Sequence, residues 1–538
     1  MERYIGKGVM RGIAIGRVYL YQKADIQVTD QKISDPAAEK ERFLAAVEQA
    51  KAQLTRLYGE ALANVGEDHA AIFDVHKMLL EDEDYLDAAA GEIDDGYNAV
   101  YAVDLAGTQF AEMFAAMDDE YMRGRAADFK DISRRVIRIL LDLPEEEIRS
   151  EEPVVLVADD LTPSETVKFD KTKILGFVTV KGSANSHTAI LARSMNLPAL
   201  VCVDVPLADE LHGKTCVVDG FEGEFLVEPE EEILSEKVVR KNQWIADLEA
   251  LEKLKGQDNV TKSGKRIDIF ANIGNVKDAE EACAADAGGI GLFRSEFLYL
   301  GRDTFPSEEE QYTSYKAVLE KMEGKKVVIR TLDIGADKKV DYFGLDPEEN
   351  PALGYRAIRI CLDREEIFIT QLRALYRAAA HGKLAIMFPM IISVDEVKRI
   401  KQIVEMVKEE LTKEGYPVGE AELGIMIETP AAAVISDRLA KEVDFFSIGT
   451  NDLTQYTLAV DRQNQKLEGI CDTHHEALLR LIEMTVKNAH EAGIWVGICG
   501  ELGADTELTE WFLKIGVDEL SVAASAVLKV RSAVRELP

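Results

Sequence analysis

The 538-residue sequence has few basic side chains and few prolines. Lysine and arginine total 63 against 98 aspartates and glutamates, and the net charge of −35 argues against nucleic acid or an anionic membrane as a partner. Taken alone, the same charge also disfavours an anionic substrate. With only 14 prolines and 47% hydrophobic residues, the composition is typical of a folded globular protein. The length predicts about three or four domains.

Long apolar stretches and paired cysteines are also absent. The longest uncharged stretches, such as residues 384–394, have eleven residues, whereas a membrane-spanning helix needs about 20. The first residues show no apolar core with a cleavage site, so we expect no secretory signal. Six cysteines without a C-x-x-C pair favour reduced thiols over disulfides or a zinc site. We therefore expect a cytoplasmic protein without membrane insertion.

Changes in pattern divide the first half of the chain. Residues 1–22 contain short apolar runs typical of strands, and residues 23–145 place apolar side chains at helical spacing. Strand-like runs bounded by turn residues return over residues 146–228. Residues 229–258 have the charged, periodic pattern of a linker helix. We predict a small α/β domain, built from 1–22 and 146–228, that contains an all-helical insertion.

Residues 259–538 alternate strand and helix patterns. Eight such units predict a TIM (β/α)8 barrel, whose chemistry lies at the C-terminal ends of its strands. The expected strands are residues 266–274, 289–294, 327–333, 384–391, 423–428, 444–450, 495–499 and 518–524. The predicted fold class is therefore multidomain α/β, with this barrel at the C-terminal end.

Charged side chains follow several of the expected barrel strands. Arg294 and Arg330 close neighbouring strands and, with Arg462, predict a cationic bowl that suits a phosphate or a carboxylate. Glu428 and Asp452 also follow neighbouring strands, in a pattern typical of two carboxylates that hold Mg²⁺. The alternative is that each arginine pairs with a local acid and serves only as scaffolding.

A cysteine and a histidine are further candidates for chemistry. Cys499 follows an apolar strand and precedes a glycine, so its thiol is placed to donate a proton in the pocket, unless it is only a small buried side chain. His187 falls in the first turn of an expected helix, where unpaired N–H groups would stabilise a phosphoryl group on the imidazole. A helix cap or a core position is the alternative for His187.

Acidic residues are concentrated between Glu67 and Glu120, where sixteen acids accompany a single base, Lys77. A run of like charges is usually a solvated face. The alternative is a docking surface for a basic protein, because complementary charge steers a partner towards its site.

Motifs along the whole chain resemble those of the phosphoenolpyruvate–protein phosphotransferases, the enzyme I family of the bacterial sugar phosphotransferase system. One motif alone would carry little weight, but all of them occur in the family's order. They are Ser186-His-Thr-Ala-Ile-Leu-Ala-Arg, Gly289-Ile-Gly-Leu-Phe-Arg-Ser-Glu-Phe-Leu, Ile329-Arg-Thr-Leu-Asp-Ile-Gly, Asn350-Pro-Ala-Leu-Gly-Tyr-Arg-Ala-Ile-Arg, Met387-Phe-Pro-Met-Ile, Gly424-Ile-Met-Ile-Glu-Thr-Pro-Ala, Phe446-Ser-Ile-Gly-Thr-Asn-Asp-Leu-Thr-Gln-Tyr and Cys499-Gly-Glu.

The resemblance implies a reaction and a role for each candidate residue. His187 would take the phosphoryl group of phosphoenolpyruvate and pass it to a histidine of the phosphocarrier protein HPr, while Cys499 supplies the proton that releases pyruvate. The residues implied in phosphoenolpyruvate binding are Arg294, Arg330, Asn451, Asp452 and Arg462, and the implied Mg²⁺ ligands are Glu428 and Asp452. The resemblance also implies that residues 23–145 dock HPr, that residues 1–22 and 146–228 swivel, and that barrels pair into a homodimer.

The chain departs from the family's pattern near several of these residues. Ser183 and Asn185 stand where the family has glycine and threonine, Gln463 replaces a glycine, and Gly503-Ala504 reverses an Ala-Gly pair. Met10-Arg11 stands in place of Ser-Pro. Because every position with an implied chemical role is retained, these departures leave open only the rate and the preferred carrier, in a sugar or a nitrogen branch.

Two other functions remain as alternatives. A pyruvate phosphate dikinase or phosphoenolpyruvate synthase shares the phosphohistidine and the barrel, but the sequence before His187 has no glycine-rich phosphate loop for ATP. A regulatory protein that binds a phosphocarrier without transferring phosphate is the second alternative, and the substitutions at Ser183 and Asn185 are its motive.

Overall fold

The structure is a computed structural model, and it describes residues 1–22, 26–64, 67–117, 120–143, 150, 152–161, 165, 173–182, 187–336, 338, 340–462, 464–467 and 469–538. The chain divides into two compact units, Met1–Asp247 and Leu248–Pro538. Among the described helices, none has an apolar stretch long enough to cross a membrane.

An eight-stranded sheet forms the centre of the first unit. Its strands are β1 (Glu2–Ile5), β2 (Lys7–Met10), β3 (Ile13–Tyr21), β4 (Val154–Ala158), β5 (Ile174–Thr179), β6 (Ala199–Val201), β7 (Thr215–Asp219) and β8 (Glu224–Val227), in the spatial order β1-β8-β7-β3-β4-β5-β6-β2. Strand β3 runs parallel to β4 and antiparallel to β7. Residues that precede the helical segment therefore pair directly with residues that follow it.

The segment between β3 and β4 is helical where the structure describes it. Asp82 and Asn98 accept hydrogen bonds from the first turns of the helices that follow them, which fixes where those helices begin. Large buried side chains, among them Phe43, Tyr85 and Phe129, form a separate apolar core here. The helices are Pro36–Asn64, Glu67–Leu79, Glu83–Asp94, Ala99–Ala115 and Glu120–Leu140.

Two more helices belong to the sheet region, His187–Met195 and Glu231–Glu252. The second is the predicted linker helix, and an ionic cluster around the buried Lys237 joins it to the sheet. The Lys237 ammonium lies 2.6 Å from an Asp219 carboxylate oxygen and 3.3 Å from oxygens of Glu222 and Glu224. Arg240 lies 3.3 Å from Asp219. These five residues are called the Lys237 cluster below.

The second unit is a closed barrel of eight parallel strands, which confirms the predicted TIM barrel. The strands are β9 (Asp268–Ile273), β10 (Ile290–Arg294), β11 (Lys326–Arg330), β12 (Lys383–Phe388), β13 (Ala421–Ile427), β14 (Phe445–Ile448), β15 (Trp495–Ile498) and β16 (Glu519–Ala523). Strand β16 pairs with β9 and closes the ring. Continuous apolar runs identified these strands because a barrel strand is buried on both faces.

Strand β11 ends three residues earlier than predicted. The Thr331 N–H still donates to the Met387 carbonyl of β12, but the Leu332 N–H donates to the Gln371 side chain instead of a neighbouring strand. The chain therefore leaves the barrel wall after Thr331.

Helices surround the barrel, and local signals set their ends. In helix Val394–Glu414, Ser393 and Glu396 form a capping box, and Gly415 ends the helix with a φ of 83°, which glycine tolerates. The helices are Val276–Ala284, Glu308–Lys321, Ile358–Asp363, Glu365–Ala378, Val394–Glu414, Pro430–Val434, Ser436–Leu439, Thr450–Leu458, Glu476–Ala492, Thr509–Ile515 and Val527–Glu536.

Candidate active site

A cavity of about 1150 Å³ opens at the C-terminal ends of the barrel strands. Every barrel residue with a predicted role lines it: Arg294, Arg330, Glu428, Asn451, Asp452, Arg462 and Cys499. These residues follow β10, β11, β13, β14 and β15, so barrel closure brings together side chains that are far apart in the sequence. This end of a TIM barrel is where such folds carry their chemistry.

Arg330, the last residue of β11, is buried and forms ion pairs with two carboxylates. It pairs with Glu296 and lies 3.0 Å from Asp333, which in turn lies 2.7 Å from Arg356. Burial alone would lower the pKa of Arg330, but the carboxylates of Glu296 and Asp333 raise it above the ordinary value. We call Arg330, Glu296, Asp333 and Arg356 the barrel-mouth cluster.

The barrel-mouth cluster leaves polar atoms unsatisfied. Within the described part of the chain, Glu296 Oε2, Arg330 Nε and Arg356 Nε are buried and have no hydrogen-bond partner. Buried polar groups in native proteins are nearly always bonded, so unsatisfied groups beside a cavity call for a ligand or ordered water. Lys338, 4.0 Å from Glu296, adds another cation to the same wall.

Arg294 and Arg462 are the exposed cations of the cavity. Arg294 ends β10 and has no ion-pair partner among the residues that the structure describes. Arg462 lies 3.6 Å from Asp452 and retains 41% of its side-chain exposure. Both guanidinium groups are therefore accessible to an anion that enters the cavity.

Glu428 and Asp452 bring two carboxylates to the cavity wall. Glu428 is buried and accepts the Met390 N–H at 2.6 Å, while Asp452 lies in the first turn of helix Thr450–Leu458. Burial, followed by repulsion from Asp452 and Asp333, raises the pKa of Glu428 to about 8. Two repelling carboxylates are the ligand set of a hard divalent cation, whose charge would relieve the repulsion, so the residues present fit Mg²⁺.

Cys499 directly follows β15 and is almost completely buried. Its Sγ lies 3.7 Å from the Ile448 carbonyl oxygen, to which the thiol donates. Burial raises the pKa of Cys499 to about 12, although the neighbouring Ser447 side chain and the Arg330 charge act in the opposite direction. At neutral pH this residue is therefore a thiol that holds a proton.

Asn451 is fixed by the loop that follows Cys499. Its side-chain carbonyl accepts the Glu501 N–H at 3.0 Å, and its amide group donates to Glu501 Oε1 at 3.3 Å. This pair of bonds holds the carboxamide at the cavity wall, between the ends of β14 and β15.

Two residues beside charged groups of the site have a left-handed backbone. Ala357, which follows Arg356, has a φ of 54°, and Met390, whose N–H reaches Glu428, has a φ of 58°. Residues with a Cβ rarely adopt this conformation, and each instance costs about 1–3 kcal/mol. The surrounding barrel must supply that energy, for example through the bond from the Ala357 N–H to the Ile334 carbonyl.

Comparisons with known proteins show the family to which the chain belongs. Family models of PEP-utilising enzymes match three parts of the chain: the N-terminal domain at residues 5–125, the mobile domain at 150–223 and the PEP-binding domain at 248–538. The phosphoenolpyruvate-protein phosphotransferase of Bacillus subtilis (strain 168) is 43% identical over 541 residues, covering 100% of this chain and 95% of the relative. The chain belongs to the phosphoenolpyruvate-protein phosphotransferase family.

Other members and solved structures are also similar to this chain. The phosphoenolpyruvate-protein phosphotransferase of Staphylococcus carnosus (strain TM300) is 43% identical, covering 98% of this chain and 92% of the relative. An NMR structure of Enzyme I (nEIt) is 33% identical, covers 45% of this chain and 99% of its own, and has a TM-score of 0.40. The N-terminal domain of Enzyme 1 - Nitrogen is 32% identical, with 43% and 97% covered and a TM-score of 0.32.

His187, the implied phosphohistidine of this phosphotransferase, is the first residue of helix His187–Met195. Its position in the first helical turn agrees with the prediction from sequence. The His187 side chain, and the departures Ser183, Asn185 and Gln463, lie outside the described residues. Gly503 and Ala504 are described, in a short 3-10 turn from Glu501 to Ala504.

No role was predicted from the sequence for four other charged residues that line the cavity: Glu296, Asp333, Lys338 and Arg356. Glu296 and Asp333 stand two and three residues after the predicted arginines Arg294 and Arg330, and Arg356 occurs within a quoted motif. Acids next to arginines fit ordinary scaffolding, so no role was predicted for them. The signal that could have identified Glu296 and Asp333 is their position two or three residues after the end of a barrel strand.

Proposed function

We propose that this chain takes the phosphoryl group of phosphoenolpyruvate onto His187 and passes it to a histidine of HPr, releasing pyruvate, as the first step of the sugar phosphotransferase system. The observation that carries the proposal is the barrel cavity, where cations and carboxylates predicted from separate motifs line one space. The names of the relatives support the same reaction.

The arginines and Asn451 are assigned to the substrate. Phosphoenolpyruvate presents a phosphate and a carboxylate, and planar guanidinium groups bind both by paired hydrogen bonds. Arg294 and Arg462 reach the cavity from its exposed side, and Arg330 forms its buried wall. Phosphoryl transfer depends on positioning and on charge neutralisation more than on covalent chemistry by the protein, and this wall supplies both.

Glu428 and Asp452 are assigned to a divalent cation, for which Mg²⁺ is our proposal because it takes carboxylate and phosphate oxygens together. When bound, the ion neutralises charge on the oxygens of the transferring phosphoryl group. Asp452 also contacts Arg462, so the carboxylate connects the proposed metal ligands to the substrate cations. The Met390 N–H orients Glu428 towards the cavity.

Cys499 is assigned as the proton donor. When the phosphorus–oxygen bond of phosphoenolpyruvate breaks, the phosphoryl group goes to His187 and the remaining electron pair forms the enolate of pyruvate. The S–H bond of Cys499 then breaks, a C–H bond forms at the enolate carbon, and pyruvate leaves. The thiolate regains its proton from solvent. The raised pKa of Cys499 supports this role because it keeps the donor protonated before the transfer.

We further propose a docking surface and a homodimer. The acids between Glu81 and Asp95 are mostly exposed, which leaves them available to a basic carrier. On the barrel, Phe297, Leu353 and Ile392 are 50%, 65% and 41% exposed at the rim of the cavity, and apolar side chains of this size favour a barrel–barrel contact.

The proposed division of labour follows the boundaries expected from sequence. Residues 1–22 and 146–228 carry the phosphohistidine on a domain that swivels, and residues 23–145 dock HPr. Residues 229–258 connect them to the barrel of residues 259–538, which binds phosphoenolpyruvate and dimerises. The pairing of β3 with β4 and β7 supports the first assignment, because it joins both segments in one sheet.

Labelled phosphoenolpyruvate tests the proposal. With Mg²⁺, the wild-type chain is expected to incorporate label and pass it to HPr, and His187→Ala to incorporate none. Cys499→Ala is expected to bind phosphoenolpyruvate normally and to lose turnover about 10²-fold or more, because the enolate lacks its proton donor. Full turnover in Cys499→Ala would remove this residue from the mechanism.

The same assay separates the alternative functions. Labelling of His187 by ATP without phosphoenolpyruvate would indicate a dikinase or synthase. A wild-type chain that binds HPr but takes no label from phosphoenolpyruvate would indicate a regulatory binding protein.

A further inference from the structure

Gln371 is a buried amide in the middle of helix Glu365–Ala378. The side chain is completely inaccessible to solvent, and its neighbours on the buried face of the helix include Phe368, Leu372 and Leu375. An amide in such a position destabilises the fold unless all of its polar atoms are bonded. The partners of Gln371 therefore indicate what the residue is for.

Three hydrogen bonds use both ends of the amide. Gln371 Oε1 accepts the Leu332 N–H at 2.9 Å, while Nε2 donates to Ser295 Oγ at 3.0 Å and to the Tyr315 hydroxyl at 3.0 Å. A backbone N–H can only donate, so the bond to Leu332 fixes which end of the amide carries the oxygen. The side chain has one orientation that satisfies all three partners.

These partners lie in the two loops that carry charged groups of the cavity. Leu332 stands between Arg330 and Asp333, in the loop that follows β11. Ser295 stands between Arg294 and Glu296, directly after β10. Gln371 therefore bonds to a residue between Arg294 and Glu296 and to a residue directly before Asp333, two positions after Arg330.

A second buried glutamine, Gln311, lies near Gln371 on helix Glu308–Lys321. The hydroxyls of Tyr315 and Tyr299 each donate to Gln311 Oε1 at 3.1 Å, and Gln311 Nε2 donates to the Pro306 carbonyl at 3.1 Å. Tyr315 therefore accepts from one glutamine and donates to the other. Among the described residues, Gln311 thus shares Tyr315 with Gln371 but bonds to neither Leu332 nor Ser295.

We infer that Gln371 is a positioning residue for phosphoenolpyruvate, which sets the spacing between the loops after β10 and β11 and so between Arg294 and Arg330. This inference rests on the proposed function, because the two arginines are assigned there to the substrate. The unsatisfied atoms Glu296 Oε2 and Arg330 Nε lie in the same pair of loops, where a small shift would change what a ligand can reach. Hydrogen-bond partners of metal ligands change affinity or activity about 10- to 100-fold when removed, and we expect an effect at the lower end of that range here.

Gln371→Met tests the inference, with Gln311→Met as its matched control. Both variants exchange a buried glutamine of the barrel for an apolar side chain of similar length, but only Gln371→Met removes the bonds to Leu332 and Ser295. In the full-length chain, we expect both to lower the melting temperature. Only Gln371→Met is expected to raise the KM for phosphoenolpyruvate in His187 labelling, about tenfold or more.

A second reaction separates loss of positioning from loss of fold or of the proposed function. Phosphorylated HPr should label His187 in Gln371→Met at the wild-type rate, because that back-transfer does not use the barrel cavity. If the KM of Gln371→Met matches that of Gln311→Met, the inference is wrong. A wild-type chain that takes no label from phosphoenolpyruvate would instead overturn the proposed function.

Ser295→Ala covers the case in which Gln371→Met does not fold. It removes one of the three bonds from a small buried side chain and leaves the Leu332 bond intact. We expect a KM about threefold above wild type, smaller than the effect of losing the whole set. If Gln371→Met does not fold and Ser295→Ala has the wild-type KM for phosphoenolpyruvate, the inference is contradicted.

Discussion

The Lys237 cluster and the barrel-mouth cluster are built from the same chemistry and differ in what they leave unsatisfied. Each buries cations against several carboxylates. In the Lys237 cluster, Lys237 contacts three carboxylates, and Asp219 also accepts the N–H groups of Phe221 and Glu222. None of its side-chain atoms is among the unbonded buried atoms of the described chain. We therefore interpret the Lys237 cluster as structural: it connects helix Glu231–Glu252 to strands β7 and β8.

The barrel-mouth cluster combines unbonded buried atoms with an adjacent cavity. Its charges are held by one another but are not fully used, which is the state expected of a site that awaits an anion and a cation. Both clusters contain several ion pairs, so a count of ion pairs does not distinguish them. We expect that unbonded buried atoms next to open space mark a site, and changes to either cluster test this expectation.

The largest expected effect is the loss of stability when the Lys237 cluster loses its central cation. Lys237→Met removes the ammonium group from the buried carboxylates of Asp219 and Glu224, which should lower the free energy of unfolding of the first unit by about 3–5 kcal/mol. Urea unfolding followed by circular dichroism measures this. Arg480→Met, which removes an exposed pair with Glu476, is the control and should leave the unfolding midpoint unchanged. Equal unfolding midpoints for Lys237→Met and wild type would show that the Lys237 cluster does not stabilise the first unit.

Next in size is the loss of a cation from the site. Arg330→Met should lower kcat/KM for His187 labelling from phosphoenolpyruvate about 10²- to 10³-fold, because one preorganised donor to the transferring group is gone. Lys237→Met, assayed under conditions where it is folded, serves as the comparison and should label nearly normally. If Arg330→Met retains more than a tenth of wild-type kcat/KM, the barrel-mouth cluster has only a structural role, as the Lys237 cluster does.

The smallest expected effect concerns Glu428 and pH. Because its pKa is raised to about 8, Glu428 must lose a proton before it can hold a cation, so Mg²⁺ affinity should rise about tenfold per pH unit below pH 8. Without metal, a pKa raised above the ordinary value stabilises the fold at low pH, and this stability is lost as the pH rises through about 8. Calorimetric titration from pH 6 to 9 measures the first effect, and thermal melting without metal measures the second. If the Mg²⁺ affinity of the wild type does not change with pH and equals that of Glu428→Gln, Glu428 is not a ligand of the cation.

Much of the fold and of the site could be predicted because the signals are local. Parallel barrel strands are apolar along their whole length, and residues at their C-terminal ends meet at one cavity, so Arg294, Glu428 and Cys499 could be placed without any knowledge of contacts. The helix that begins at His187 was predictable for the same reason, since its turn-rich start and apolar face are adjacent in the sequence.

The remaining features depend on contacts between distant residues. Gln371 meets Leu332 and Ser295 from 39 and 76 positions away, and nothing in its own helix distinguishes it from a surface glutamine. Lys237 occupies a helix whose charged pattern predicts a solvated linker, yet strands β7 and β8 bury it. A polar residue whose partners lie in other elements is not visible to an analysis of periodicity.

The left-handed backbone at Ala357 and Met390 has a consequence for the order in which the protein folds. A short loop cannot hold such conformations by itself, so neither residue presents Arg356 or supports Glu428 until the barrel around it is complete. Closing the ring requires β16 to pair with β9, from opposite ends of the barrel sequence. The cavity wall is therefore complete only when the last strand of the barrel is in place.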